Sequence, residues 1–245
     1  MVIYRFSPYP HKLYKPDQHR EFQTHITPET PAIHENAIVT RHVASKKNYL
    51  LIKRFFDIVF SFIGIVTVLS WLTPIIAILI KSGSKGSVFF LQKRMGRNGK
   101  IFWCFKFRTM IVNEEADERQ AEENDERITR IGKFLRATNI DELPQLLNVL
   151  IGHMSLVGPR PHMLSDCMRF SFVVSSYQFR TLVKPGITGL AQIKGYRGPA
   201  KDYESIMNRY YWDAVYIRKA GPWLDIKIAG ETIAHSFKNL RRKKL

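Results

Sequence analysis

The sequence predicts an α+β protein, mostly helical, that enters a membrane from one side only. It is expected to carry a re-entrant helix-break-helix, a small β-hairpin and interfacial amphipathic helices. Three observations predict this. Residues 58 to 80 form an uncharged apolar run, and two apolar stretches flank Asn98-Gly99. Beyond Ile128 the apolar residues take helical spacing and the last third is rich in tyrosine and tryptophan.

Length and composition set the bounds. A chain of 245 residues is one moderate domain or a domain with an appendage, and 45% apolar residues suffice for a packed core. The formal net charge of +17 requires an anionic partner: nucleic acid, a phospholipid surface or a phosphorylated substrate. Cys104 and Cys167 have no paired spacing and no histidine cluster nearby, which argues against a disulfide scaffold and a zinc site. The N-terminal MVIYRFSPYP lacks the pattern of a signal peptide, so the chain is expected to begin in the cytoplasm.

Residues 1–45 hold five of the twelve prolines and five of the eight histidines without sustained periodicity, and are predicted to be a flexible extension. Residues 46–82 form the membrane helix with its flanks, and residues 83–245 the cytoplasmic domain. The apolar run IVFSFIGIVTVLSWLTPIIAILI is long enough to cross a bilayer, which takes roughly 20 residues. Pro74 removes a backbone donor in its second half, with the Ser70 and Thr73 hydroxyls near the freed carbonyls. Both flanks are basic, with Lys46, Lys47, Lys53 and Arg54 before and Lys81, Lys85, Lys93 and Arg94 after. A spanning helix normally biases its Lys and Arg to one side, so the helix is expected to enter, break at Thr73-Pro74 and return. A single crossing with a proline kink is the other arrangement the run allows.

Residues 87–107 read as a hairpin turning at Asn98-Gly99. Residues 114–126 hold eight carboxylates, most simply a solvated segment without catalysis. Ile128, Ile131, Phe134 and Leu135 then follow helical spacing among basic residues. A second helix is expected from about Asp141, with Asn139 as its cap, Glu142 in the third position and Pro144 in the first turn. GHMSLVGPRPH, residues 152–162, cannot continue that helix and is expected to be a rigid basic loop. Tyr203, Tyr210, Tyr211, Trp212, Tyr216 and Trp223 point to helices at a membrane interface, and the tail KNLRRKKL suits an anionic leaflet.

One constellation carries chemistry: Arg136, Asp141-Glu142, and Arg160 between two prolines. Carboxylates at a helix N-terminus stay ionised, the same end attracts phosphate, and an ionised Asp can attack phosphorus. Arginine offers phosphate a planar fork, and Mg²⁺ held by one or two carboxylates plus phosphates is the usual partner of such transfer. A plain helix cap is the other reading of the pair on spacing alone.

Residues 53–58 (KRFFDI), 88–110, 127–162 (with NIDELPQL and SLVGPRP) and 184–195 (KPGITGLAQIKG) resemble, in order, the motifs of the bacterial sugar transferases. These are monotopic polyprenyl-phosphate phosphoglycosyl transferases of the bacterial cytoplasmic membrane, working at its cytoplasmic face. The resemblance runs from about residue 50 to 235 and implies the minimal catalytic form. It implies transfer of a sugar-1-phosphate from a nucleotide diphosphate sugar to polyprenyl (undecaprenyl) phosphate, at the start of exopolysaccharide, capsule, O-antigen or glycoconjugate assembly. Asp141 would be the nucleophile, and Glu142 would assist through Mg²⁺ or by handling a proton, both acting as metal ligands. Arg136, Arg160, Lys106 and Arg108 would hold phosphates. Thr73-Pro74 stands where the family commonly has Ser-Pro, and Ile140 where it usually has Leu. The implied partners are the two substrates and membrane lipids, with a homo-oligomer allowed and no nucleic acid. The rival, from another class, is a non-enzymatic basic membrane adaptor or nucleic-acid binder, supported by charge alone.

Overall fold

The computed structural model describes residues 41–112, 125–174, 176–200 and 202–242. The predicted extension and the acidic segment fall almost wholly outside them. The chain is mostly helical. It opens on α1 (Lys47–Gly64), a π-helical turn (Ile65–Leu69) and α2 (Ser70–Gly83), which together form one helical run of 37 residues. At 1.5 Å per residue its contour is about 55 Å, well beyond a hydrocarbon core of about 30 Å.

The predicted break at Thr73-Pro74 is not there; Pro74 lies inside α2, and the departure from α geometry comes one to two turns earlier. Pro74 has no N–H to donate to the Ser70 carbonyl, and the hydroxyls of this stretch bond to other carbonyls. Thr67, Ser70 and Thr73 each donate to the carbonyl four residues before, at 2.7, 2.6 and 2.6 Å, and Trp71 Nε1 donates to Thr67 O at 2.6 Å. Such back-bonding and π-bulges are the usual devices by which a helix bends.

One face of this run lies along the rest of the protein throughout its length. Lys46 donates to the carbonyls of Arg218 and Ala220, and Lys53 pairs with Asp225 at 2.7 Å. Asp57 accepts from Ser155 Oγ and Leu156 N. Leu69, Ile76 and Ile80 pack with Phe107 and Leu135 in one apolar cluster. The opposite face leaves Leu51, Phe55, Phe56, Phe60, Ile75 and Ile78 exposed. A continuous apolar stripe of that length has no stable partner in water.

The hairpin forms as predicted. β1 (Phe89–Met95) pairs antiparallel with β2 (Ile101–Phe107), register Phe89↔Phe107 to Met95↔Ile101. Asn98 and Gly99 both take positive φ, 55° and 75°, which Asn and Gly tolerate best. α3 (Arg130–Thr138) is capped by the Thr129 hydroxyl, which accepts from Gly132 N at 3.0 Å, and ends at left-handed Asn139.

The predicted capping box is absent. Asn139 closes α3 and caps nothing with its side chain; Ile140–Glu142 is a 3-10 turn, and α4 (Gln145–Leu150) begins only after Pro144. Glu142 is drawn away by cations, and Pro144, with its fixed φ, sits at the cap. The GHMSLVGPRPH segment, residues 152–162, is not wholly loop either. Within it β3 (Ser155–Val157) pairs in parallel with β4 (Gly186–Thr188). That pairing depends on bare backbone, since a Cβ on Gly186 would lie 2.1 Å from Gly158 N.

α5 (Leu164–Val173), a 3-10 segment (Tyr177–Leu182) and the short α6 (Leu190–Ile193) follow. The chain closes with α7 (Tyr203–Lys219) and α8 (Pro222–Arg242). The aromatic group divides between core and surface. Tyr216 is core, 2% exposed, among Val157, Phe179, Ile217 and Ile228, whereas Tyr203, Tyr211 and Trp223 (83% exposed) face outward.

Candidate active site

Asp141 and Glu142 lie on the 3-10 turn between α3 and α4, against the end of β2. Arg136 arrives from the last turn of α3, Lys106 and Arg108 from β2 and its end, and Arg160 from the loop after β3. All of them line one open cavity of about 610 Å³, within the range of pockets that hold nucleotide-sized ligands. Arg94, Arg197 and Arg209 line it too.

The two carboxylates have opposite surroundings. Glu142 is enclosed by cations: Oε1 accepts from Lys106 Nζ at 2.9 Å and Arg160 Nη2 at 2.6 Å, and Oε2 from Arg197 Nη2 at 2.8 Å. Burial alone would raise its carboxyl pKa, but Arg160, Lys106 and Arg197 hold it well below the usual carboxylate range. The Asp141 carboxylate makes no hydrogen bond or ion pair among the described residues and faces the cavity. Burial and the neighbouring Glu142 charge push its pKa up, against Lys106, Arg136 and Arg160. The pair thus separates into a permanently charged, fully paired Glu142 and an unpaired Asp141 whose reactivity is not spent on hydrogen bonds.

Arg136 is fastened through one nitrogen, Nε donating to Thr109 Oγ1 at 3.0 Å, with Nη2 near Met110 Sδ at 3.8 Å. Its fork is otherwise open to the cavity. Arg108 also lines the cavity, and its Nε, Nη1 and Nη2 donate to the carbonyls of Ser87, Lys85 and Ser84 at 2.6, 2.8 and 2.9 Å. Three of its five N–H groups thus fasten the chain that leaves α2.

Beneath Arg160 lies a buried polar layer. Arg180 pairs with Asp213 at 2.8 Å and donates to Arg160 O at 2.6 Å, and Arg94 donates to Pro161 O at 3.1 Å. His162 Nε2 faces Arg180 and Arg209, and its Nδ1 meets the Tyr177 hydroxyl. Burial, then Arg180 and Arg209, hold the His162 pKa well below its ordinary value, so it is neutral and Nε2 is an acceptor. Sequence reasoning missed Arg94, Arg180, Arg197, Arg209 and Asp213. Arg180 and Asp213 are 33 residues apart, on segments without a motif, and their only trace was the excess of arginine.

For a divalent cation the donor set is narrow. Among the described residues no cluster of three or more His, Cys, Asp or Glu exists, and Glu142 has its oxygens committed to cations. Asp141 alone offers a free carboxylate, which fits a cation completed by substrate phosphates.

Known proteins resemble this chain over most of its length. The family pattern described as bacterial sugar transferase matches residues 48–239. The chain is 46% identical over 191 residues to a UDP-glucose:undecaprenyl-phosphate glucose-1-phosphate transferase of Klebsiella pneumoniae, covering 78% of this chain and 41% of that protein. It is 44% identical over 190 residues to the Escherichia coli (strain K12) protein of the same name, 77% of this chain and 41% of that one. To the exopolysaccharide production protein PSS of Rhizobium leguminosarum bv. phaseoli it is 43% identical over 189 residues, 75% of this chain and 94% of the relative. The chain thus spans about two-fifths of the first two relatives and nearly all of the third. A match over most of its length, through the elements that carry the carboxylate pair and its cations, places this chain in the bacterial sugar transferase family.

Proposed function

We propose that the protein transfers a sugar-1-phosphate from a nucleotide diphosphate sugar to polyprenyl phosphate through a covalent intermediate on Asp141. The observation that carries this is the unpaired Asp141 carboxylate in a cation-lined cavity beside a fully neutralised Glu142. Relatives named as UDP-glucose:undecaprenyl-phosphate transferases make UDP-glucose and undecaprenyl phosphate the first pair to test.

An Asp141 Oδ atom attacks the sugar-bearing phosphorus. The bond to the bridging oxygen breaks, and the nucleoside monophosphate leaves with the electron pair. A polyprenyl phosphate oxygen then attacks the same phosphorus, the bond to Asp141 breaks, and the carboxylate is restored. Arg136 and Arg160 stabilise charge on the transferring group, which is worth most in a preorganised, water-poor site. Glu142 is the positioning group: ionised and held from three sides, it fixes Lys106, Arg160 and Arg197 and carries no proton. Mg²⁺ would rest on Asp141 and phosphate oxygens, supplying positive charge to them. A non-enzymatic basic adaptor would need no unpaired carboxylate in such a cavity.

The same reading sets the topology. Both ends of the 37-residue helix are fastened to one body, Lys46 at the end of α7 and Ser84–Ser87 by Arg108, and its middle packs on Phe107 and Leu135. A helix crossing the bilayer cannot keep its ends and its middle against a domain on one side. The run therefore dips its outer apolar face into the cytoplasmic leaflet of the bacterial membrane without crossing it, and the outward Trp223 and Tyr211 sit at that interface.

The decisive test is intact-protein mass after mixing the protein with UDP-glucose and Mg²⁺ and no lipid acceptor. A sugar-phosphate adduct on Asp141 that clears on adding undecaprenyl phosphate is expected. A preparation that turns over without ever showing an adduct refutes the covalent route. For topology, Lys46→Cys and Lys85→Cys report cleanly because Cys104 and Cys167 are buried; labelling from opposite sides refutes the dip.

A further inference from the structure

Three cations hold Glu142, and they are not equivalent. Lys106 and Arg160 share Oε1, come from β2 and the loop after β3, and have side chains 17% and 22% exposed. Arg197 alone holds Oε2 at short range, 2.8 Å against 3.3 Å for Arg160 Nη1, and is 39% exposed. It comes from the segment between α6 and α7, where the Cα positions of Gly195 and Gly198 have no neighbouring atoms within 4 Å of where a Cβ would stand. The side of the backbone where those Cβ atoms would stand is open, and Arg197 and Gly198 line the cavity. Only one of its guanidinium nitrogens bonds Glu142, which leaves the rest of the fork for an incoming oxyanion.

If Arg197 leaves, Glu142 remains neutralised by Lys106 and Arg160, so the pair Arg197–Glu142 is the one that can open at little cost. The segment is also tied to the buried layer: Arg209, which faces His162, donates through Nη2 to Gly198 O. Arg197 is therefore an exchangeable cation on a segment anchored at Gly198.

We propose that Arg197 is the ligand of the leaving phosphate: it rests on Glu142 in the empty site and transfers its fork to the phosphate that departs with the nucleoside. The inference rests on the reaction proposed above. As Asp141 Oδ bonds to the sugar-bearing phosphorus, the bond from that phosphorus to the bridging oxygen breaks. The electron pair stays on the nucleoside monophosphate, and Arg197 meets the charge developing there. Lys106, Arg136 and Arg160 remain with the phosphoryl group that Asp141 keeps.

The test uses Arg197→Ala and Arg197→Lys in the full-length protein, with binding of UMP and UDP measured by calorimetry and adduct formation on Asp141 followed by mass. Arg197 is more than a third exposed and Glu142 keeps Lys106 and Arg160 as partners, so thermal stability without nucleotide should stay close to wild type. The Ala variant should bind UMP at least about tenfold more weakly, the equivalent of about 1.4 kcal/mol, and form adduct on the order of a hundredfold more slowly. Lys should restore part of the UMP affinity and less of the rate, since it keeps the charge and loses the fork. Transfer from a preformed adduct to undecaprenyl phosphate should be unchanged, because no nucleotide takes part in that step. Unaltered UMP affinity in Arg197→Ala overturns the proposal. So does a defect confined to the lipid step, which would place Arg197 on the acceptor phosphate. Absence of any adduct in wild type would instead sink the covalent route, while the UMP affinities would still report on Arg197.

Discussion

Glu142→Gln isolates what the cation cage contributes. The substitution keeps shape and one acceptor oxygen but removes the charge that balances Lys106 at 2.9 Å and Arg160 at 2.6 Å. Breaking a buried ion pair by removing one partner costs about 3–5 kcal/mol, because the remaining charge is left uncompensated. The Glu142 side chain is only 7% exposed, but the cations reach an open cavity, so the lower end, about 3 kcal/mol, applies. Arg197 adds little, being more than a third exposed. For a chain of this size each kcal/mol moves Tm by about 2–4 °C, which predicts a fall of about 6–12 °C in detergent or nanodiscs. Two further results must accompany it. UDP should raise the variant's Tm by more than it raises that of wild type, because the released cations then find their counter-charge in the diphosphate. The acid limb of adduct formation should also move to lower pH, since a like charge that helps raise the Asp141 pKa has gone. A Tm within about 2 °C of wild type, with no larger nucleotide shift, would refute the claim that Glu142 is the keystone of the cage.

Other expectations follow from the same geometry. Asp141→Asn should abolish adduct formation without lowering Tm. Its folded pKa is raised, so the charged form weakens the fold above the ordinary carboxylate range, and removing the charge relieves this. A fall of several degrees in thermal unfolding would contradict it. By the same sign, wild-type adduct formation should decline as pH falls through a value above that of an ordinary Asp; an acid limb at or below that value would show that Asp141 does not titrate there. Gly186→Ala should cost about 3 kcal/mol or more in chemical denaturation, because its Cβ would meet Gly158 N at 2.1 Å; a neutral result would mean that β3 and β4 separate freely. Arg108→Met removes three hydrogen bonds to Ser84, Lys85 and Ser87 without touching the other cations of the cavity. It should raise protease sensitivity around residues 84–87 while UMP affinity stays within about twofold, a change too small for loss of a charge-assisted contact; a large loss of UMP affinity would place Arg108 in the phosphate set.

The sequence by itself determined those features whose cause is local. An uncharged run as long as a bilayer is thick makes a long apolar helix, and Asn98-Gly99 between apolar stretches makes a hairpin, whatever surrounds them. The adjacency of Asp141 and Glu142 and the placement of Arg160 between prolines drew attention to one stretch, but their spacing alone left a plain helix cap open, and the family resemblance supplied the reading as a site. Tertiary structure decided what depends on partners distant along the chain. Asn139 and Glu142 have the spacing of a helix cap, yet three cations from residues 106, 160 and 197 hold Glu142, and the cap never forms. Arg108 looked like its neighbours in sequence, but in the structure three of its N–H groups fasten the carbonyls of Ser84, Lys85 and Ser87. The irregular turn in the long apolar helix fell at Ile65–Leu69 rather than at Pro74, which stays inside regular helix. Charge sets which groups attract one another, but only the packed chain sets which of several arginines arrives first at a given carboxylate.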